Sequence, residues 1–342
     1  MSNEFLNYNQ VLEKINANNE KKRLLVGNGF SMAYNQERFS FTSLLQNAID
    51  KEIIQEDSEI HRAFSANDTS DFEEIIKMLE NTSKVLEIYK EDKALCEKLR
   101  QDSQKLKNHL IEVVTNNHPE KITDISENLF VSTINFIKEY DSIYSLNYDL
   151  LLYWATEKMR ERLREGNLYF TDGFGSSYNE ENAEYVVFNK SHNNTLFYLH
   201  GALHIFDDKD KIIKKTYSRT GRCLKEQIQN ELNNDRYPVF VSEGTSNQKK
   251  AKIIHNAYLN HCYKSLSAIS GSLVVFGTTL KSNDTHIQEA ILNSKIKCIY
   301  FGVSNLEKGQ QELSTFIDEA TKKNKQVSFY DYKSVKIWTN NQ

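Results

Sequence analysis

No two cysteines in this chain are spaced C-x-x-C. Cys96, Cys223, Cys262 and Cys298 lie scattered along it, which argues against a zinc ribbon and a dithiol redox centre and reads as four reduced cytoplasmic thiols. Long apolar runs are missing too. Met1 to Glu20 lacks the apolar core of a signal peptide and no later stretch is long enough to span a bilayer, so the expectation is a soluble intracellular protein with no membrane partner. Nor is there charge of one sign. Charged residues make up 26% of the chain but its net charge is only −4, so no basic field holds nucleic acid and direct nucleic-acid binding is not expected. Two prolines in 342 residues, beside abundant Asn, Lys, Ile and Tyr, read as coding bias and carry no functional message. Tandem repeats and low-complexity linkers are likewise lacking. The length suffices for a large catalytic domain with an insertion, or for two domains.

What is present is organised around Arg23 to Ser31. Leu24, Leu25 and Val26 form an unbroken apolar run, as in a parallel strand buried on both faces. Gly27 and Gly29 end it, free to take unusual backbone angles and to let a ligand approach the main chain. Apolar residues at helical spacing follow, from Phe30 and Ala33 to Ala48 and Ile49. A strand thus opens through glycines onto a helix N-terminus, where N–H groups and the helix dipole favour a pyrophosphate. The same pattern fits a tight strand-to-helix turn with no ligand.

Before Lys21 the spacing predicts a short helix. Ile53 to about Asn117 reads as helical throughout, with a Lys- and Glu-rich solvated face from Glu87 to Lys107. A further helix over Leu129 to Ile137 leads into a second strand, Ser142 to Leu146, and directly into Asn147-Tyr148-Asp149. Those polar residues sit at the carboxyl end of a strand, where open α/β sheets bind ligands; capping of the following helix explains them equally. Asn167 to Asn194 reads as a loop or lid. Leu196 to Phe206 then reads as one buried strand delivering His200, a candidate acid–base group, with His192 and His204 as structural histidines. Pro238 to Ser242, Ser272 to Phe276, Ile296 to Val303 and Val327 to Tyr330 read as further strands separated by helices, one of them holding Ile253 to Ile269. The expected fold is α/β: a Rossmann-like parallel sheet with helices on both faces, one domain over 1–342, and a helical insertion over 52–140.

Taken in order, these strand ends resemble the sirtuins. Gly27-Asn28-Gly29-Phe30-Ser31 is similar to the sirtuin Gly-Ala-Gly-x-Ser, Leu146-Asn147-Tyr148-Asp149 to Thr-x-Asn-x-Asp, Leu199-His200-Gly201 to Leu-His-Gly, and Gly277-Thr278-Thr279-Leu280 to Gly-Thr-Ser-Leu. The Val-Gly-Asn-Gly-Phe-Ser start resembles bacterial sirtuin-like proteins filed as a domain of unknown function. The zinc module of the protein deacylases is absent, as is their Gly-x-Pro-Asp-Phe-Arg run. Such departures resemble the sirtuin-like NAD hydrolases of bacterial anti-phage defence.

That resemblance implies NAD as substrate, no zinc, and catalysis by Asn147 and His200. It implies cofactor binding by Gly27, Asn28, Gly29, Phe30 and Ser31 around the pyrophosphate, by Gly277 and Thr278 at the adenosine half, with Asp149 and Asp284 in support. The implied role is an NAD-depleting effector of abortive infection, activated through a partner or trigger, with a homo-oligomer and a separate regulatory partner expected, such as an ATPase or nucleotide-processing subunit. Two other classes stay open: a non-catalytic NAD- or ADP-ribose-binding sensor, and an ADP-ribosyl transferase or deacylase.

Overall fold

The structure, a computed structural model, describes residues 4–89, 92–162, 169–175, 185–191, 193–216, 223–234, 236–242 and 245–340. Twelve strands are present among them: β1 (Phe5–Leu6), β2 (Lys22–Val26), β3 (Ser142–Ser145), β4 (Phe174–Gly175), β5 (Tyr185–Phe188), β6 (Leu196–Tyr198), β7 (Gly201–Asp208), β8 (Lys211–Lys215), β9 (Pro238–Phe240), β10 (Ser270–Phe276), β11 (Lys295–Val303) and β12 (Gln326–Asp331). Seven of them form one sheet in the order β1-β12-β11-β10-β2-β3-β6. Every neighbouring pair in it is parallel. Read from β6 to β12, this is the 3-2-1-4-5-6 order of doubly wound dinucleotide-binding folds, with β1 added beyond the far edge.

Both faces of this sheet are covered. Leu24, Leu25 and Val26 are each fully buried, as are Leu273, Val274 and Val275, and consecutive strand residues point to opposite faces. The apolar runs therefore report a two-sided core, as the sequence pattern predicts. Between β2 and β3 the connection is almost wholly helical, with helices at Gly29–Tyr34, Gln36–Phe39, Phe41–Asp50, Glu59–Ala66, Phe72–Ile88, Lys93–Asn117 and Glu127–Ile137. The longest of these, Lys93–Asn117, pairs with Phe72–Ile88 as a helical hairpin. Among the described residues no helix is long and apolar enough to cross a membrane, and the four cysteines are unpaired.

A second sheet departs from the expected all-parallel arrangement. Its order is β4-β5-β8-β7-β9, and its pairs are antiparallel. Three expectations change with it. The 167–194 segment carries two strands, β4 and β5, and is not solely a loop or lid; His192 lies outside the described residues. Pro238 to Ser242 supplies β9 of the second sheet, not a parallel strand. Leu196 to Phe206 is not one strand but two, β6 in the parallel sheet and β7 in the antiparallel one. The helix expected over Ile253 to Ile269 is also divided, at Asn256, whose side chain caps the second part by accepting from the Tyr258 and Leu259 amides at 3.1 Å each.

The chain changes sheets at Leu199-His200-Gly201. Leu199 still donates to the Ser145 carbonyl of β3 at 2.9 Å, whereas His200 accepts from the Val241 amide beyond β9 at 2.9 Å. Gly201 makes the corner, with φ +85°, and a Cβ there would stand 1.9 Å from the Val239 carbonyl oxygen. Neither the dihedral nor the space admits a side chain. Gly201→Ala is expected to lower stability by about 1–3 kcal/mol or more, read as a fall in the urea midpoint; an unchanged midpoint would show that the corner relaxes freely.

Candidate functional site

A cavity of about 640 Å³ opens at the carboxyl ends of the parallel strands. It lies across β2 and β10, where the chain order reverses. After β2 the chain builds outward through β3 and β6, then returns to the other side of β2 with β10; such switch points leave a crevice between diverging loops. The walls come from Gly27–Gly29 after β2, Leu146–Asp149 after β3, His200 after β6, Phe276–Thr279 after β10, Gly302–Asn305 after β11, and Asp71–Glu73 of the helical insertion. Of the sequence candidates, Gly27, Asn28, Gly29, Asn147, Asp149, His200, Gly277, Thr278 and Asp284 line it.

Phe30 does not. Its ring is fully buried and meets Trp338 edge-on at 5.6 Å, while its carbonyl accepts the Trp338 indole N–H at 3.1 Å. It is a core residue. The glycine loop also departs from the open cradle expected for a pyrophosphate. Gly27 donates to the Phe276 carbonyl and Gly29 to that of Gly277, each at 2.9 Å; Phe30 and Ser31 donate back to Gly27 and Asn28 at 2.9 and 3.0 Å. The following helix, Gly29–Tyr34, is only six residues long. The glycines are needed for one another: a Cβ on Gly29 would lie 2.5 Å from the Gly277 Cα, and one on Gly27 2.5 Å from the Thr278 Cβ. Two loops thus pack backbone to backbone as the floor of the cavity.

Ser31 lies beneath that floor, fully buried. Its hydroxyl donates to Asp149 Oδ2 at 2.5 Å and accepts from Asn147 Nδ2 at 2.8 Å. A hydroxyl has one proton. Since the carboxylate takes it, Asn147 must present its N–H to Ser31, and the amide oxygen is the end left for the cavity. Asp149 also accepts from the Leu151 amide through Oδ1 at 2.9 Å, as the capping reading expects, and it lines the cavity as well. Burial pushes its carboxyl above the usual range, against the pull of the Ser31 hydroxyl and the Leu151 amide. Ser31 is therefore an orienting residue and not a ligand-facing hydroxyl. Ser31→Ala is expected to cost about 1–3 kcal/mol, the price of stranding buried polar partners, measured by urea unfolding; a cost below ~0.5 kcal/mol would mean that Asn147 and Asp149 re-pair without it.

His200 is buried at the sheet junction, and its Nε2 lies 3.0 Å from His286 Nε2. One imidazole must donate and the other accept, and burial favours the neutral form of both rings. Burial pulls His200 well below the usual histidine range, with the Lys249 ammonium adding to the effect; burial likewise takes His286 down to about 2, helped by His200. His286 is held from behind, its Nδ1 3.0 Å from Ser246 Oγ, which itself accepts the His286 amide at 2.7 Å.

Beside this pair stands a buried ion network. Lys249, 1% exposed, donates to Glu73 Oε2 at 2.6 Å and to Asp284 Oδ1 at 3.0 Å. Asn283 donates to the same Glu73 oxygen at 2.9 Å, and the Tyr148 hydroxyl lies 2.7 Å from the other. Asp284 does not cap the helix Thr285–Asn293 with its side chain; its carboxylate serves Lys249 instead. Burial opposes the charge on Lys249, but Glu73 and Asp284 hold its pKa above the usual lysine range. For Glu73 burial prevails and the carboxyl is raised despite Lys249.

The family model described as a domain of unknown function, DUF4917, matches residues 24–338. The chain belongs to that family. No curated protein matches it. The matched span takes in every residue that lines the cavity, so the DUF4917 domain contains the whole candidate site. Several of its residues carry no local signal. Glu73 and Lys249 look in sequence like two more surface charges, and nothing marks His286 or Ser246 as partners of His200. His118 is similar: it ends the helix Lys93–Asn117 and its Nε2 accepts the Leu150 amide at 3.1 Å, pinning the turn after Asp149. Burial takes it down to about 3, so it stays a neutral acceptor.

Proposed function

We propose that this cleft hydrolyses NAD at the nicotinamide–ribose bond, releasing nicotinamide and ADP-ribose, and that the chain acts as an NAD-depleting effector in bacterial anti-phage defence. The observation that carries the reading is the convergence of Asn147 and His200 on one cavity at the switch point of a 3-2-1-4-5-6 sheet. A cavity of that volume suits a small organic ligand. The ordered resemblance to sirtuin motifs supplies the substrate.

The chemistry asks for little covalent help. Cleavage of an N-glycosidic bond whose leaving group departs neutral passes through an oxocarbenium-like state, as glycoside hydrolysis does. Rate then comes from holding the ribose, orienting a water and stabilising the developing cation. Asn147 presents an amide oxygen, an acceptor suited to a water or a ribose hydroxyl. His200, with its Nε2–H donated to His286, has Nδ1 as the acceptor for the proton of the attacking water or of that hydroxyl. Asp71, Glu73 and Asp284 line that end of the cleft beside Lys249 and Lys281, leaving an excess of one carboxyl toward the cationic nicotinamide. Oligomerisation and a separate regulatory partner belong to the same proposal, as the means of restraining such an activity in its host.

The test is to incubate the purified chain with NAD, alone and with lysate of phage-infected cells, and to follow nicotinamide release with product analysis. Free ADP-ribose supports the reading. ADP-ribose attached to protein, or O-acyl-ADP-ribose, would replace it with transfer or deacylation. NAD bound but intact under every condition would replace it with a sensor.

A further inference from the structure

We propose that His200, Asp284 and His286 form a binding site for a divalent transition-metal ion, best matched by zinc, in the wall of the cleft. Their ligand atoms all lie within 4.8 Å of one another. The two histidine Nε2 atoms face each other at 3.0 Å, and Asp284 Oδ1 stands 3.9 Å from that of His200. Nitrogen and oxygen ligands of a tetrahedral zinc, at about 2.0–2.2 Å from the ion, are separated from each other by roughly 3.3–3.6 Å. The observed separations bracket that spacing, so small side-chain movements convert a hydrogen-bonded pair into a ligand set.

The donor set also selects the ion. Two imidazoles and one carboxylate suit zinc, cobalt and their neighbours, whereas magnesium and calcium take oxygen shells. Support from behind is in place, because metal-bound histidines characteristically direct the other ring nitrogen to a fixed partner; for His286 that partner is Ser246 Oγ at 3.0 Å. His200 stands at the corner between the sheets, and Asp284 and His286 are two residues apart where the 3-10 turn Ser282–Asp284 runs into the helix Thr285–Asn293. Access is through the cleft, which both His200 and Asp284 line.

Charge permits it. Lys249 occupies one oxygen of Asp284 but is bound more closely to Glu73, at 2.6 against 3.0 Å. Asp71 adds a third carboxylate to the lining. The oxygen of Asp284 that faces His200 is the one Lys249 holds, so the ion shares Oδ1 with the ammonium, and the carboxyls of Asp71, Glu73 and Asp284 outnumber the Lys249 and Lys281 ammoniums in this part of the lining. An ion held here occupies the His200 nitrogen that faces His286. If the NAD-hydrolase reading holds, on which this clause alone rests, zinc is an inhibitor and its removal is activating.

Binding can be measured apart from activity. Chelator-stripped full-length protein would be titrated with Co²⁺ for the visible absorption of a four- or five-coordinate ion, and with Zn²⁺ by equilibrium dialysis. Cys223→Ser and Cys298→Ser would be included to remove the less buried thiols. One equivalent is expected in the wild type and in the cysteine variants, weakened at least ~100-fold in His286→Asn and in Asp284→Asn, with folding of each checked by its melting curve. No uptake by the wild type, or uptake unchanged in both variants, would overturn the site. An NAD assay on the stripped protein separates the two ideas: lack of turnover there counts against the hydrolase and leaves the binding result standing.

Discussion

Replacing His200 with alanine is expected to reduce nicotinamide release by about 10²–10⁴-fold, the usual contribution of a positioned acid–base group, while NAD still binds within a few-fold of the wild type. Asn147→Ala should produce a comparable loss, again in kcat more than in KM, because orienting the water matters chiefly in the transition state. Both expectations follow from where the groups end. His200 stands at a corner fixed by hydrogen bonds to two sheets, and Asn147 is held by a hydroxyl whose only proton goes elsewhere. Nicotinamide release measured across a range of NAD concentrations, beside NAD binding by calorimetry, gives the split. Turnover unchanged in either variant would remove that residue from the site, and losses confined to KM would make it a binding group only.

The second large effect concerns stability. Lys249→Met should cost about 3–5 kcal/mol, because removing one member of a buried ion pair leaves the others uncompensated. Lys249 is 1% exposed and its two carboxylate partners come from distant parts of the chain, so the loss should appear as reduced global stability in urea. A double variant, Lys249→Met with Glu73→Gln, should recover part of that loss, since one stranded charge disappears with the lysine. A single-variant cost below ~1 kcal/mol would show that water or a neighbouring group already shares the carboxylates. The network joins the helical insertion, through Glu73, to the segment after β10, through Asn283 and Asp284. Loosening it should also make the cleft easier to open.

Most of the parallel sheet was legible in the sequence because burial on two faces leaves an unmistakable mark. Leu24-Leu25-Val26 and Leu273-Val274-Val275-Phe276 carry no polar alternation, and each is followed by a glycine, Gly27 or Gly277, that the neighbouring loop requires. The antiparallel sheet was not. β4, β5 and β9 contain two, four and three residues, too few for a period to declare itself, and the apolar run through Leu203 conceals the change of sheet at Gly201. Within the site, residues at strand ends could be located from the pattern, but not their partners. Ser31 looked like a phosphate ligand because its motif places it there; only the three-dimensional arrangement shows its hydroxyl committed to Asn147 and Asp149. Lys249 and Glu73 are 176 positions apart, and no linear pattern encodes such a pairing.

The interior position of β2 in the parallel sheet has a consequence for how the protein is made. Its two sheet neighbours, β3 and β10, begin at Ser142 and Ser270. During synthesis at about 5–20 residues per second, β10 follows β2 from the ribosome only after roughly 12–50 s. Throughout that interval Leu24, Leu25 and Val26 lack at least one edge partner. The helices between β2 and β3 are rich in local contacts and can form early, which gives the nascent strand an apolar surface to shelter against before its sheet exists. Truncated chains ending before β10 should accordingly depend on chaperones far more than the finished protein does.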